Sequence, residues 1–179
     1  MTGLYGGVFD PPHNGHVALA RAAQKHFGFD RFVILVAEHP GHKAVHAPAE
    51  VRLRLAEAAF PGLAVELDPH AWTVDMLRAR DWDDPVFLVG ADQLAAFRTW
   101  KEPDGVVELA RLGVATRPGY LLGAAQPRVE PFEIPALDVS SSEVRRRVAA
   151  GEPIDELVPP AVAALIEELG LYRQGAGLH

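Results

Sequence analysis

The eleven residues Gly6-Gly7-Val8-Phe9-Asp10-Pro11-Pro12-His13-Asn14-Gly15-His16 constrain this chain more than any other stretch. They follow a short apolar strand candidate, Leu4-Tyr5, and run straight into a helical segment at 17–27. Glycine accepts backbone angles closed to other residues, so the Gly6-Gly7 pair predicts a tight turn that a ligand can approach closely. His13 and His16 are three residues apart, which puts both on one side of an opening helical turn. A helix N-terminus presents unpaired N–H groups and a partial positive charge, and these attract phosphate. Imidazoles beside it can donate to phosphate oxygens that gain charge during a transfer. A Gly-Gly pair alone signals only a turn, and two histidines alone are ordinary surface residues. Turn, prolines, histidines and helix start in this order point instead to a phosphate-handling site.

Apolar runs then alternate with amphipathic ones. The run at 31–36 (RFVILV) is rich in β-branched residues and reads as a buried parallel strand, as do 85–89 (PVFLV) and 112–116 (LGVAT). Segments 49–60, 73–80 and 103–110 carry helical periodicity. This alternation predicts an α/β sheet with right-handed crossovers, and ligands in such sheets bind outside the carboxyl ends of the strands, where the strand order reverses. The glycine turn after the first strand fits that rule. Segments 38–48 and 119–131 read as loops, the former over the sheet edge. A helix at 159–169 shows one apolar stripe of Val162, Leu165, Ile166 and Leu169, and the tail from Gln174 is expected to fray.

The 179 residues suit one domain with a sizeable core. A formal charge of −7 argues against a nucleic-acid coat binder, and the absence of cysteine excludes disulfides, thiolate catalysis and Cys-based zinc sites. No apolar run approaches the roughly 20 residues a bilayer span needs, and no secretory signal is visible. A cytoplasmic protein is the default expectation.

Three further constellations carry chemistry. In the segment 138–147 (DVSSSEVRRR), Ser140 and Glu143 have capping-box spacing, and Arg145 lies one turn into the helix they would start. Hydroxyls, free N–H groups and a guanidinium there make a second phosphate cradle; an ordinary capped helix with a solvated basic face is the other reading. Gly90-Ala91-Asp92 closes the strand at 86–89, and Trp100-Lys101 follows. A tryptophan near a loop can stack on a flat heteroaromatic ring or simply sit partly in the core. His39, His42 and His46 crowd one loop, but three histidines without cysteine or a carboxylate pair are a weak zinc pattern.

The eleven-residue string resembles the GGTFDPxHxGH signature of the nucleotidylyltransferase superfamily, most closely its nicotinate-nucleotide adenylyltransferase branch. Val8 stands where that signature carries Thr or Ser, leaving only the backbone N–H there. Ser140-Ser141-Ser142 with Arg145 is similar to the second signature, ISSTxIR. GADQLAAFRTWK resembles GADxxxxxxxWK of the nicotinate-nucleotide branch, a segment that separates it from the phosphopantetheine adenylyltransferases. Trp72-Thr73-Val74-Asp75 resembles YTxDT, with Trp72 for Tyr and Met76 for the second Thr. His42-Lys43 matches the tail of a PPHK loop in which Gly41 replaces the second proline, and Arg117-Pro118-Gly119 matches RPG. The resemblance runs from Leu4 to about Tyr172.

It implies a single Rossmann-like nucleotidylyltransferase domain over 1–179, with the catalytic sheet at about 2–137 and the phosphate-binding helix and C-terminal helices at about 138–173. The catalytic residues it implies are His13, His16, Lys43 and Arg145. ATP would meet Gly6, Gly7, Val8, Phe9, His16, Gly90, Asp92, Arg117, Ser140, Ser141 and Arg145. The second substrate would meet Thr73, Trp100 and Lys43, with Trp100 stacked on its pyridine ring and Thr73 beside its carboxylate. Arg146 and Arg147 are expected to be surface charges. Mg²⁺ is expected on the triphosphate with no protein ligand, and Asp10 and Asp92 would reach it only through water. The implied reaction joins the AMP of ATP to nicotinate mononucleotide, giving deamido-NAD and pyrophosphate in NAD biosynthesis. The amidated mononucleotide or 4′-phosphopantetheine as acceptor, and a nucleotide-binding sensor that no longer turns over, stay open. ATP and the mononucleotide are thus the expected partners, without nucleic acid or membrane, and a homo-oligomer is an open option.

Overall fold

A computed structural model describes residues 1–41, 44–119 and 127–173. Six strands are laid down in the order β1 (Thr2–Gly7), β2 (Arg31–Ala37), β3 (Ala64–Asp68), β4 (Pro85–Gly90), β5 (Arg111–Thr116) and β6 (Val129–Glu133). Seven α-helices accompany them: α1 (Asn14–Phe27), α2 (Ala49–Ala59), α3 (Thr73–Arg78), α4 (Ala91–Ala95), α5 (Pro103–Leu109), α6 (Ser141–Ala150) and α7 (Pro160–Glu168). The strands form one parallel sheet in the order β3-β2-β1-β4-β5-β6. The chain therefore winds outward from β1 to β3, returns to β4 beside β1, and winds the other way to β6. The order reverses between β1 and β4, which puts a crevice at their carboxyl ends.

Strand side chains alternate between faces, and both faces are covered. Tyr5, Ile34 and Val36 share one cluster with Leu19 and Ala23 of α1, Leu55 of α2, Val144 of α6 and Val162 of α7. Leu4, Val33 and Leu35 face the other way, against Val74 and Leu77 of α3 and Val106 of α5. This two-sided burial explains why the run in β2 is apolar throughout rather than alternating. Local signals set the helix ends: α1 stops at Gly28 (φ 64°) and α6 at Gly151 (φ 68°), both left-handed as helix C-termini favour.

The predicted architecture holds, with four corrections. Gly6 and Gly7 do not turn: they finish β1, and the left-handed residue is Phe9 (φ 53°). Gly7 is needed because the Phe9 ring folds back over it, and a Cβ at Gly7 would lie 2.8 Å from Phe9 Cζ. The stretch 119–131 is not all loop, since Val129–Pro131 open β6 and Pro131 pairs in register with Val114. Pro131 is tolerated because β6 is an edge strand. The segment 38–48 leaves β2, an interior strand, so it rises beside the crevice rather than over the sheet edge, which is β3. Finally, β3 is a strand the periodicity did not predict. The tail from Gln174 lies outside the described residues.

Candidate active site

The crevice between the ends of β1 and β4 holds a cavity of about 520 Å³, a size that suits a nucleotide. Gly6, Gly7, Val8, Phe9 and Asp10 wall it from the end of β1, His16 from α1, Asp92 and Gln93 from α4, and Ser141, Ser142 and Arg145 from α6. Three stretches far apart in sequence, the β1–α1 junction, the start of α4 and the start of α6, are thus brought to one place by the fold. Among the described residues neither the Val8 nor the Phe9 N–H finds an acceptor within the protein. Two adjacent unpaired donors on a turn make an anion-binding concavity.

The helix start beside it is built by the histidines themselves. His13 is the N-cap of α1, and its Nδ1 accepts a hydrogen bond from the Gly15 N–H at 3.1 Å. His16 Nδ1 accepts from the His13 N–H at 3.1 Å, completing a capping box made from two imidazoles. The rings stack with centroids 3.7 Å apart. Because each Nδ1 is an acceptor, the proton of each neutral ring sits on Nε2, which is left to donate. Burial pushes His13 down to about 4, and burial together with the neighbouring His13 holds His16 well below the ordinary value of 6.5. Both rings are therefore neutral donors at physiological pH. Phe9, 1% exposed, packs edge-on against the His16 ring and fixes its orientation.

At the start of α6, Ser140 Oγ accepts the Glu143 N–H at 3.1 Å, the expected cap. The reciprocal half of the capping box does not form, because the Glu143 carboxylate turns to Arg146 and Arg147, which hold it down at about 2. Arg146 and Arg147 also pair with Glu152 and Glu156, as surface charges do. Arg145 instead faces the cavity, donating to the Asp10 carbonyl at 2.6 Å and to Ser142 Oγ at 3.2 Å. Ser141 Oγ donates to the Pro11 carbonyl at 2.8 Å. These bonds tie α6 to the turn after β1.

Across the crevice, Thr73 is the first residue of α3, with Trp72, 47% exposed, as its N-cap residue. Trp100 packs edge-on against Phe87 and Phe97, and the next residue, Lys101, bonds both Asp75 oxygens at 2.8 and 3.0 Å. That pair joins the Trp100 segment to α3, so Thr73 and Trp100 belong to one local assembly. Gly90 ends β4, and its N–H donates to Gln93 Oε1 at 2.9 Å. Arg117 is exposed just beyond β5. Of the residues singled out in the sequence, those of the β1 exit, His16, Asp92, Ser141 and Arg145 line the cavity itself. His13, Gly90 and Ser140 buttress it, and Thr73, Trp100 and Arg117 stand apart from its wall. Lys43, like His42, lies outside the described residues.

Among the described residues no group of three potential metal ligands occurs. His46 is engaged elsewhere: its backbone N–H and Nδ1 lie 2.6 and 3.3 Å from Asp10 Oδ2. Tyr172 Oη donates to Asp10 Oδ1 at 2.7 Å. The Asp10 carboxylate, 3% exposed, is thus an internal anchor joining the turn, the 38–48 segment and the C-terminal segment. Sequence reasoning missed both Tyr172 and Arg52, a guanidinium 1% exposed beneath the turn. A tyrosine near a terminus and an arginine in a helical stretch carry no local signal of such roles.

Comparison with known proteins gives this arrangement its class. The Cytidylyltransferase-like family model matches residues 4–147, so the crevice belongs to a nucleotidyltransferase scaffold. A protein of Thermus thermophilus named a probable nicotinate-nucleotide adenylyltransferase is 43% identical over 96% of this chain and 98% of its own. One of the same name from Chromobacterium violaceum is 36% identical over 96% and 98%. The chain belongs to the nicotinate-nucleotide adenylyltransferase family. A solved Plasmodium falciparum nicotinic acid mononucleotide adenylyltransferase, complexed with NaAD, shares the fold with a TM-score of 0.74 over 96% of each chain, at 17% identity.

Proposed function

We infer that this protein transfers the AMP moiety of ATP to nicotinate mononucleotide, releasing pyrophosphate and forming deamido-NAD for NAD biosynthesis. The observation that carries the reading is the convergence on one cavity of the Val8 and Phe9 N–H groups, unpaired among the described residues, the neutral His16 imidazole braced by His13, and Arg145, in a chain of this family. In this reading residues 1–179 work as one domain, and a cytoplasmic location goes with it. Among the described residues no helix is long and apolar enough to cross a membrane.

The mononucleotide phosphate is already an anionic nucleophile, so no side-chain base and no covalent intermediate is required. Its oxygen attacks the ATP α-phosphorus in line; the new P–O bond forms as the bond to the β-phosphate bridging oxygen breaks, and that oxygen leaves with pyrophosphate. Holding the two phosphates in line contributes about 7–11 kcal/mol. The Nε2–H groups of His13 and His16 donate to the α-phosphate oxygens as charge grows there, and being neutral beforehand they need no proton change. Arg145 and Lys43 take the leaving pyrophosphate, with Ser140, Ser141 and the N–H groups of α6. Gly6 to Phe9, Gly90, Asp92 and Arg117 line the nucleotide. Thr73 and Trp100 receive the nicotinate, whose carboxylate gains from N–H donors where an amide NH₂ would not. Mg²⁺, when bound with ATP, would supply charge neutralisation on the triphosphate. Asp10 is occupied by His46 and Tyr172, so Asp92 is the cavity carboxylate that would help to hold the ion.

Pyrophosphate release from Mg-ATP tests the reading with nicotinate mononucleotide, nicotinamide mononucleotide and 4′-phosphopantetheine in parallel. Fastest turnover with the nicotinate form is expected. A preference for either other acceptor would overturn the acceptor assignment, and ATP binding without turnover on any of them would make the protein a nucleotide sensor.

A further inference from the structure

Arg52 is the largest fully buried side chain among the described residues, and the reaction described above does not use it. Among the described residues no carboxylate lies within ion-pair distance of it, and four backbone carbonyls take its place. Its Nε donates to Ala47 O at 3.0 Å, Nη1 to Val8 O at 2.9 Å and Ala37 O at 2.7 Å, and Nη2 to Glu38 O at 3.3 Å. Ala37 is the last residue of β2, Glu38 begins the segment that leaves it, and Ala47 lies near that segment's end before α2. One side chain therefore holds both stems of that segment and joins them to the turn after β1. A buried arginine is expensive unless its donors are satisfied, so a position that meets it only with carbonyls has a specific task.

The contact with Val8 supplies that task. Val8 C=O and Phe9 N–H belong to one planar peptide unit. A guanidinium on the carbonyl polarises the unit and strengthens the N–H as a donor, and the Phe9 N–H has no acceptor within the described protein. We propose that Arg52 is a positioning residue for nucleotide phosphate: it sets and polarises the Val8–Phe9 peptide and locks the 38–48 stems to it. This rests on the reading of the β1 exit as the ATP-phosphate site. The planar fork is required, because a lysine ammonium is a single point that cannot reach carbonyls on three sides.

The test combines amide hydrogen exchange with direct calorimetric ATP binding, on the parent and on Arg52→Lys and Arg52→Gln. Exchange at His46, whose N–H bonds Asp10, is expected to quicken about tenfold or more in Arg52→Lys while β1 and β4 amides keep parent rates. The ATP dissociation constant is expected to rise about tenfold, with a larger rise in Arg52→Gln. Parent-like exchange and affinity in Arg52→Lys would overturn the proposal, as would a uniform quickening of all amides with ATP affinity kept. Failure of the parent itself to bind ATP would sink the nucleotide reading instead, while the His46 exchange would still report the anchoring. Should neither variant fold, the parent decides: the Arg52 Nε–H, followed by NMR, is expected to exchange several-fold more slowly with saturating ATP, and an unchanged rate would refute the coupling.

Discussion

The β1–α1–α6 side of the crevice and the α3–Trp100 side are built on different principles. On the first, the described groups that line the phosphate end are held by partners within the fold. His13 and His16 cap each other's helix turn, Phe9 pins the second ring, Arg52 braces the Val8 carbonyl, and Arg145 reaches back to Asp10. On the second, the indole of Trp100 leans on Phe87 and Phe97, while the polar links of its segment to α3 are two exposed ion pairs, Lys101–Asp75 and Glu102–Arg78. The difference matches what each side must do. Charge develops on the phosphates during the reaction, so donors there must be aligned beforehand. The pyridine ring does not react, and its pocket needs only to select and hold it.

That contrast ranks the expected effects of change. His16→Ala removes a donor used most in the transition state, and kcat should fall about 10²–10³-fold in pyrophosphate release, with ATP affinity changed by no more than about threefold. A loss confined to KM would mean that the imidazole only binds. Trp100→Ala removes a stacking platform, so the KM for nicotinate mononucleotide should rise about 10–100-fold while the KM for ATP stays put. If both rise together, the two sides are not separable.

The imidazole pair also predicts a pH dependence. In the unfolded chain both histidines titrate near 6.5, whereas folded His13 titrates at about 4 and His16 well below 6.5. Between pH 6.5 and about 4 the unfolded chain binds more protons, so stability is whole above this window and is lost as pH falls through it. Each fully shifted group contributes at most about 1.4 kcal/mol per pH unit there. Thermal melting at pH 7 and pH 5 should show a larger drop for the parent than for a His13→Gln, His16→Gln double variant; equal drops would contradict the buried neutral pair. The smallest effect belongs to Lys101→Met. An exposed ion pair contributes about 1 kcal/mol or less, so the KM for the mononucleotide should move by less than about fivefold. A larger change would show that Lys101 touches the substrate.

Legibility in the sequence follows the same division. The strands that build the crevice, β1, β2, β4 and β5, carry apolar runs because the sheet buries both their faces, and each was visible. The edge strand β3 (AVELD) mixes two acidic residues into five, and β6 contains a proline, since an edge strand needs neither two apolar faces nor every N–H. The β1–α1 motif was legible because its chemistry is contiguous in the chain. The supports of that motif were not: Arg52, His46 and Tyr172 reach Val8 or Asp10 across 44, 36 and 162 residues, and no local pattern records such contacts. The Gly6-Gly7 pair is special for a reason other than a turn: Gly7 makes room for the Phe9 ring, while Gly6 is an ordinary residue of β1.

The most direct measurement is a crystal structure with deamido-NAD, the product of the proposed reaction, bound. The account predicts phosphate oxygens within hydrogen-bond distance of His16 Nε2 and the Phe9 N–H, with the pyridine ring stacked on Trp100 and its carboxylate at the start of α3. Phosphates bound away from the imidazole pair, or a pyridine ring seated elsewhere than on Trp100, would contradict it.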